Sequence, residues 1–210
     1  MTRSLPPSYF EALYASNPDP WRFASSDYER DKYAATLAAL PKQLYRSGLE
    51  VGCSIGVLTA MLASRCRRLL AVDVADEALA QARERCRALP QVTLAHLQIP
   101  DQTPSGSFDL IVLSEVVYYL DREDVRHLAR FLARALEPGG DLLLVHWTGA
   151  TDYPLSGDEA TELLIAGFDF TAQPLAASRY ERYRLDLLRR LDAEPALMPC
   201  HQGPGDGDLA

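Results

Sequence analysis

Two carboxylates frame a glycine turn in the first third of this chain. Glu50 leads into Val51-Gly52-Cys53-Ser54-Ile55-Gly56, and Asp73 ends the apolar run Leu69-Leu70-Ala71-Val72, seventeen residues after Gly56. Glycines at that spacing let the backbone approach a ligand, and an acid ending the next apolar run suits a pair of ribose hydroxyls. A dinucleotide site uses Gly-x-Gly-x-x-Gly, whose N–H groups and helix N-terminus neutralise a pyrophosphate. Here Cys53-Ser54 stands where the middle glycine would be, and Glu50 would repel a phosphate. The pattern suits a nucleoside that carries positive charge and no phosphate. S-adenosylmethionine, with its adenosine, ammonium and sulfonium, is such a ligand. Gly52, Cys53 and Gly56 would carry the backbone past the amino-acid end, Glu50 would hydrogen-bond near it, and Asp73 with Val74 would meet the ribose.

Further along, polar and aromatic residues fall where apolar runs stop. Leu97-Gln98 follows 92–97, where an adenine would lie. Ser114-Glu115 and Tyr118-Tyr119 follow Phe108-Asp109-Leu110-Ile111-Val112-Leu113, and His146-Trp147 follows 141–145. Ligands in open α/β sheets sit at the carboxyl ends of strands, so these side chains are expected to face cofactor and acceptor. His146 is the first candidate for a general base, because an imidazole titrates near neutrality. Glu115 could bind an acceptor ammonium or pair with Arg22 or Arg30. Tyr118 and Tyr119 are expected at the acceptor, with Tyr119 grouped with His146 and Glu115 as catalytic. One of the two tyrosines belongs to the core, since consecutive side chains diverge. Tyr14, Trp147 and Tyr153 complete the acceptor candidates. Trp21, on the rigid Asn17-Pro18-Asp19-Pro20 loop, reads as a lid over the cofactor. Tyr28 and Lys32 lie one helical turn apart, and Lys32 could reach the carboxylate of a bound amino acid or stay at the surface.

The elements that position these residues follow from periodicity. Helices are expected over 8–17, 26–40, 57–66, 76–89, 123–136 and 158–166. Strands are expected over 47–51, 69–73, 92–97, 108–113 and 141–145, with Pro138-Gly139-Gly140 as a turn. Residues 167–175 and 179–188 read as an edge hairpin, with a helix as the alternative for 185–191. Alternating strands and helices predict an α/β fold with a mostly parallel sheet. A single domain is expected over 1–193, made of a helical cap at 8–41 and a Rossmann-like core at 47–190. Residues 194–210 have the composition of a flexible tail.

Bulk properties narrow the classes. The 210 residues are 48% apolar and carry a net charge of −8, which argues against nonspecific binding to nucleic acid. No apolar run is long enough to span a membrane, and the first residues lack a signal-peptide core. The four cysteines form no Cys-x-x-Cys pair, so no metal site is expected and a reducing, cytoplasmic setting is the default.

Taken together, Asp19-Pro20-Trp21, Tyr28-Glu29-x-x-Lys32-Tyr33-Ala34, Glu50-Val51-Gly52-Cys53-x-x-Gly56, Ala71-Val72-Asp73, Ser114-Glu115-Val116-x-Tyr118-Tyr119-Leu120 and Leu136-x-Pro138-Gly139-Gly140 give the chain a family likeness. It resembles the class I S-adenosylmethionine-dependent methyltransferases. More narrowly, it is similar to the nodulation protein S family, N-methyltransferases of chitooligosaccharide precursors. The resemblance implies a Rossmann-like three-layer sandwich with a seven-stranded sheet of order 3-2-1-4-5-7-6, strand seven antiparallel. It implies S-adenosyl-L-methionine as methyl donor, S-adenosyl-L-homocysteine as product and no metal. The N-terminal helices and Trp21 would fold over the cofactor. The expected reaction is methyl transfer to a small-molecule amine, by a monomer or homodimer with no nucleic-acid or membrane partner. An O-methyltransferase or another S-adenosylmethionine-consuming enzyme of secondary metabolism is the alternative, and a non-catalytic cofactor-binding protein the third reading.

Overall fold

The computed structural model of the chain describes residues 3–168 and 172–191. The expected tail, 194–210, lies outside the described residues. Seven strands form one sheet in the order β3-β2-β1-β4-β5-β7-β6. They are β1 (Gly48–Val51), β2 (Leu69–Asp73), β3 (Val92–His96), β4 (Phe108–Ser114), β5 (Leu136–Trp147), β6 (Ala172–Arg179) and β7 (Tyr183–Arg190). Strands β1 to β5 run parallel, and β7 lies antiparallel to both β5 and β6. The expected fold class and strand order hold.

The helices are α1 (Pro7–Ser16), α2 (Asp27–Ala39), α3 (Val57–Leu62), α4 (Asp76–Cys86), α5 (Arg122–Ala135) and α6 (Gly157–Ala166). Ser26, Asp121 and Ser156 cap α2, α5 and α6 by accepting N–H bonds of the first turn. Acidic residues follow each cap and complement the helix dipole. Strand β4 is buried along most of its length, as the centre of a parallel sheet must be.

Two expectations are corrected, and one alternative is settled. Helix α3 ends at Leu62 and gives way to a tight turn over Ala63–Arg65. The Arg65 guanidinium then bonds the carbonyls of Leu37, Leu40, Lys42 and Gln43, supplying donors that the end of α2 lacks. Pro138-Gly139-Gly140 is a bent section inside a long β5, not a separate turn. The register shifts opposite Phe108 and Leu110, and Gly139 has φ +70°. Residues 185–191 form no helix, because β7 is inserted between β5 and β6 and paired on both edges. Its polar positions Arg184 and Asp186 share a face and bond each other at 2.8 and 3.0 Å. That pairing lets a strand carry charge while buried.

Candidate functional site

The strand ends β1, β2 and β4 open into a cleft. Its floor is the β1–α3 turn. The N–H groups of Gly52 and Cys53 both bond the Val72 carbonyl, tying that turn to β2. Gly52 has φ +78°, and a Cβ there would stand 3.0 Å from Val116. Only glycine takes that backbone at so short a distance from the β4 turn. Ser54, at φ +50°, sends its N–H to Asp73 at 2.7 Å, and its hydroxyl meets the Tyr14 phenol.

Asp73 faces the cleft from the end of β2. Its carboxylate also accepts N–H bonds from Val74 at 2.8 Å and Ala75 at 3.0 Å. Two oxygens offer four acceptor sites, so one stays open after these three bonds. Burial pushes its carboxyl above the usual range, and the three N–H groups oppose that rise. Glu50 is 2% exposed. It borders a smaller cavity that adjoins the first and shares Gly52, Ser54, Ser114 and Glu115 with it. Its Oε2 has no hydrogen-bond partner among the described residues. Burial pushes its carboxyl up to about 8.

Residues from the first 23 positions roof the cleft: Leu5, Pro7, Phe10, Tyr14, Trp21 and Phe23. Trp21 stacks on Phe23 with centroids 5.4 Å apart and meets Tyr14 edge-on. The segment before α1 is fastened by the Leu5 N–H to the Tyr119 carbonyl at 2.9 Å. The Ser4 hydroxyl donates to Asp124 and accepts the Asp121 N–H. Val74, Leu97, Gln98, Ser114, Glu115 and Tyr119 also line the cleft, as their positions in the sequence predict. Cys53 lines the smaller cavity.

Other candidates lie elsewhere. His146 is fully buried and lines neither cavity. Its Nε2 accepts the Val117 N–H at 3.3 Å, so the ring proton sits on Nδ1, 3.3 Å from the Thr161 hydroxyl. That hydroxyl donates onward to the Gly157 carbonyl at 2.8 Å. Burial lowers the imidazole to about 4. The ring is thus neutral, with both nitrogens engaged inside the protein. The structure does not bring it to the cleft, where the sequence leads one to expect a general base. Gly56, at φ +77°, lets the turn pack on Ala82 of α4 and does not line the cleft. Tyr118 turns its hydroxyl to Glu115 at 2.7 Å, and Tyr153 stacks on Tyr118; neither lines the two cavities. Tyr28 and Trp147 meet edge-on outside both cavities.

Lys32 is neither at the surface nor in the cleft. Its ammonium is buried, 2.9 Å from Glu29 and 2.6 Å from Glu115. Glu115 pairs with this lysine, not with Arg22 or Arg30; Arg30 pairs with Asp27. Sequence reasoning passed over Ser54, Val116 and Phe10. The first two sit beside recognised motif residues. Phe10 had no signal beyond its place in an amphipathic helix.

A family model described as Nodulation protein S (NodS) matches residues 13–147. Nodulation protein S of Rhizobium tropici is 36% identical over 127 residues, which cover 60% of this chain and 53% of that protein. Nodulation protein S of Sinorhizobium fredii is 32% identical over 127 residues, 60% of this chain and 59% of its own. The chain thus spans little more than half the length of these relatives. Among solved structures, the N-methyltransferase NodS from Bradyrhizobium japonicum WM9 in complex with S-adenosyl-L-homocysteine superposes with a TM-score of 0.77. That match is 25% identical and covers 88% of this chain and 98% of the other.

Proposed function

The chain belongs to the nodulation protein S family, and from that premise we propose that it is an S-adenosylmethionine-dependent methyltransferase acting on a small-molecule amine. One observation carries this reading. The unpartnered Glu50 oxygen and the Asp73 carboxylate with its open acceptor site border adjoining cavities at the glycine turn. An orphaned buried carboxyl suits an ammonium, and a strand-terminal carboxylate suits a ribose hydroxyl. No residue in the cleft opposes the fit. Gly52 and Cys53 would lie along the amino-acid end, and Val74, Leu97 and Gln98 beside the nucleoside. When bound, S-adenosylmethionine supplies an electrophilic methyl group on its sulfonium.

The chain's own residues align the acceptor and keep water out. Glu115 lines the cleft, and its carboxylate accepts from Lys32, Tyr118 and the Trp147 N–H. One acceptor site remains on Oε1 for an N–H of the amine. That site orients the nitrogen of a neutral amine, whose extra proton is given to bulk water before binding; the N-methylated product leaves as the ammonium. Phe10, Trp21, Phe23 and Tyr119 supply the apolar walls. A carboxylate at this place favours an amine over a hydroxyl acceptor. The same cleft would serve an O-methyltransferase once that carboxylate is a spectator. The enzyme is proposed as metal-independent and cytoplasmic.

Calorimetry with S-adenosylhomocysteine tests the cofactor site. Methyl transfer from labelled S-adenosylmethionine to panels of amines, alcohols and carboxylic acids tests the reaction. We expect saturable cofactor binding and labelled N-methyl products. Labelled ethers alone would move the assignment to O-methylation, and tight binding without any product would leave a non-catalytic binding protein.

A further inference from the structure

Lys32 is the buried charge that this account of the reaction leaves without a task. It sits in α2, 2% exposed, while its partner Glu115 comes from the turn after β4. Its Nζ is 2.6 Å from Glu115 Oε1, and the rings of Tyr28 and Tyr33 lie 5.3 and 6.0 Å away. Glu29, one turn earlier in α2, shares the same ammonium. Glu115 has a backbone φ of +59°. A non-glycine residue in that left-handed region costs of order 1 kcal/mol and persists where its surroundings impose it. Three donors from three elements impose it here: Lys32 from α2, the Tyr118 hydroxyl from the β4 turn and the Trp147 N–H from β5. Of these, only Lys32 brings charge, and only Lys32 belongs to the cap.

We propose that Lys32 is a positioning residue, whose buried ammonium fixes the Glu115 carboxylate toward both cavities and thereby ties the α1–α2 cap to the methyl-transfer site. This rests on the methyltransferase reading for its catalytic consequence, but not for its effect on cofactor affinity. Glu115 borders both the main cleft and the smaller cavity beside Glu50. A change in its direction therefore alters the space for both halves of the cofactor and for the acceptor. Without the ammonium, Glu29 and Glu115 would be like charges sharing one buried site. They would separate, and α2 would move with Glu29.

The test compares Lys32→Met, which keeps the aliphatic stem, with Arg189→Met. Arg189 bonds the buried Asp141 of β5 at 2.7 and 3.1 Å, and neither residue lines the two cavities. Both variants remove the cation from an ion pair with a largely buried carboxylate, and both are expected to melt earlier than wild type. Only Lys32→Met is expected to weaken S-adenosylhomocysteine about tenfold and to lower kcat/KM by about a hundredfold, measured well below either melting temperature. Lys32→Arg, which keeps the charge, is expected to recover part of that affinity. If Lys32→Met keeps wild-type affinity and kcat/KM and differs only in melting temperature, the positioning role is overturned. Should Lys32→Met fail to fold, Lys32→Met combined with Glu29→Gln removes the repelling carboxylate and carries the same comparison. A wild-type protein that binds S-adenosylhomocysteine but methylates no acceptor of any panel would sink the methyltransferase reading alone. The affinity comparison would still decide the role of Lys32.

Discussion

At the scale of single residues, environment separates groups that look alike in the sequence. Glu50 and Asp73 are both buried acids beside one turn, yet Asp73 accepts three backbone N–H bonds while Oε2 of Glu50 has no hydrogen-bond partner among the described residues. Asp73→Ala is expected to weaken S-adenosylhomocysteine at least about tenfold in calorimetry, the loss of roughly one or two bonds to a charged acceptor. Glu50 ionises near 4.5 when unfolded and near 8 when folded. Its folded pKa is raised, so the stability it contributes is full below about 4.5 and is lost as pH climbs through about 8. Glu50→Gln is therefore expected to gain melting temperature over wild type as pH rises across that window. The same carboxyl must ionise to receive an ammonium. Cofactor binding near neutrality is thus expected to release a proton, read by calorimetry in buffers of differing ionisation enthalpy, and Glu50→Gln to release none. For His146→Gln the expectation is a loss of about 1–3 kcal/mol in denaturant unfolding, with the neutral-range pH–rate profile keeping its shape. The sequence placed His146 correctly at the end of β5. Which way its ring turns depends on the Val117 N–H and on Thr161 of α6, and no local pattern reports those contacts.

At the scale of elements, the β1–α3 turn is held by two left-handed glycines with different duties. Gly52 makes room for Val116, and Gly56 makes room for α4, where an added Cβ would lie 2.9 Å from both Ala82 Cα and Cβ. Gly56→Ala is expected to cost at least about 2 kcal/mol by thermal unfolding, from strained backbone and a backbone clash together. Elements with one strong period were legible: α2, α4, α5 and strands β1 to β4 fall within a few residues of their expected bounds. The edge hairpin was less so. The sequence offered 167–175 and 179–188, and the strands are Ala172–Arg179 and Tyr183–Arg190. The cause is visible at Arg184 and Asp186. Both are buried charged residues whose burial depends on pairing across one face, with Asp158 of α6 also reaching Arg184 at 2.8 Å. Alternation cannot forecast a buried salt bridge, because the rule assumes that charge marks the solvent face.

At the scale of the molecule, the cleft is a junction between two stretches of chain far apart in sequence. The floor and back come from β1, β2 and β4. The roof comes from residues before α2, fastened at Tyr119 and Asp124. The glycine turn and its acids announced the floor, because backbone conformation and charge are local properties. The roof was legible only in part, since Trp21 stood out on its proline loop while Leu5, Phe10 and Phe23 carry no local mark of what they cover. The Lys32 triad was illegible for the same reason: Glu115 lies 83 positions away. Removing residues 1–16 is expected to leave the sheet folded by circular dichroism and to weaken S-adenosylhomocysteine by about tenfold or more, as the apolar roof is stripped from the site.

The fastening of residues 4 and 5 to the turn after β4 also bears on synthesis. Residues 4–23 leave the ribosome well before Tyr119 and Asp124, so the roof is made long before its fastening points exist. Phe10, Trp21 and Phe23 can pack on Ile55, Ala75 and Ala78 once α4 is made, but Ser4 and Leu5 stay unfastened until the turn after β4 and the start of α5 have emerged. The ligand site therefore closes late in biogenesis, and a nascent chain halted before β4 holds the aromatics of the roof without the contacts that anchor its first residues.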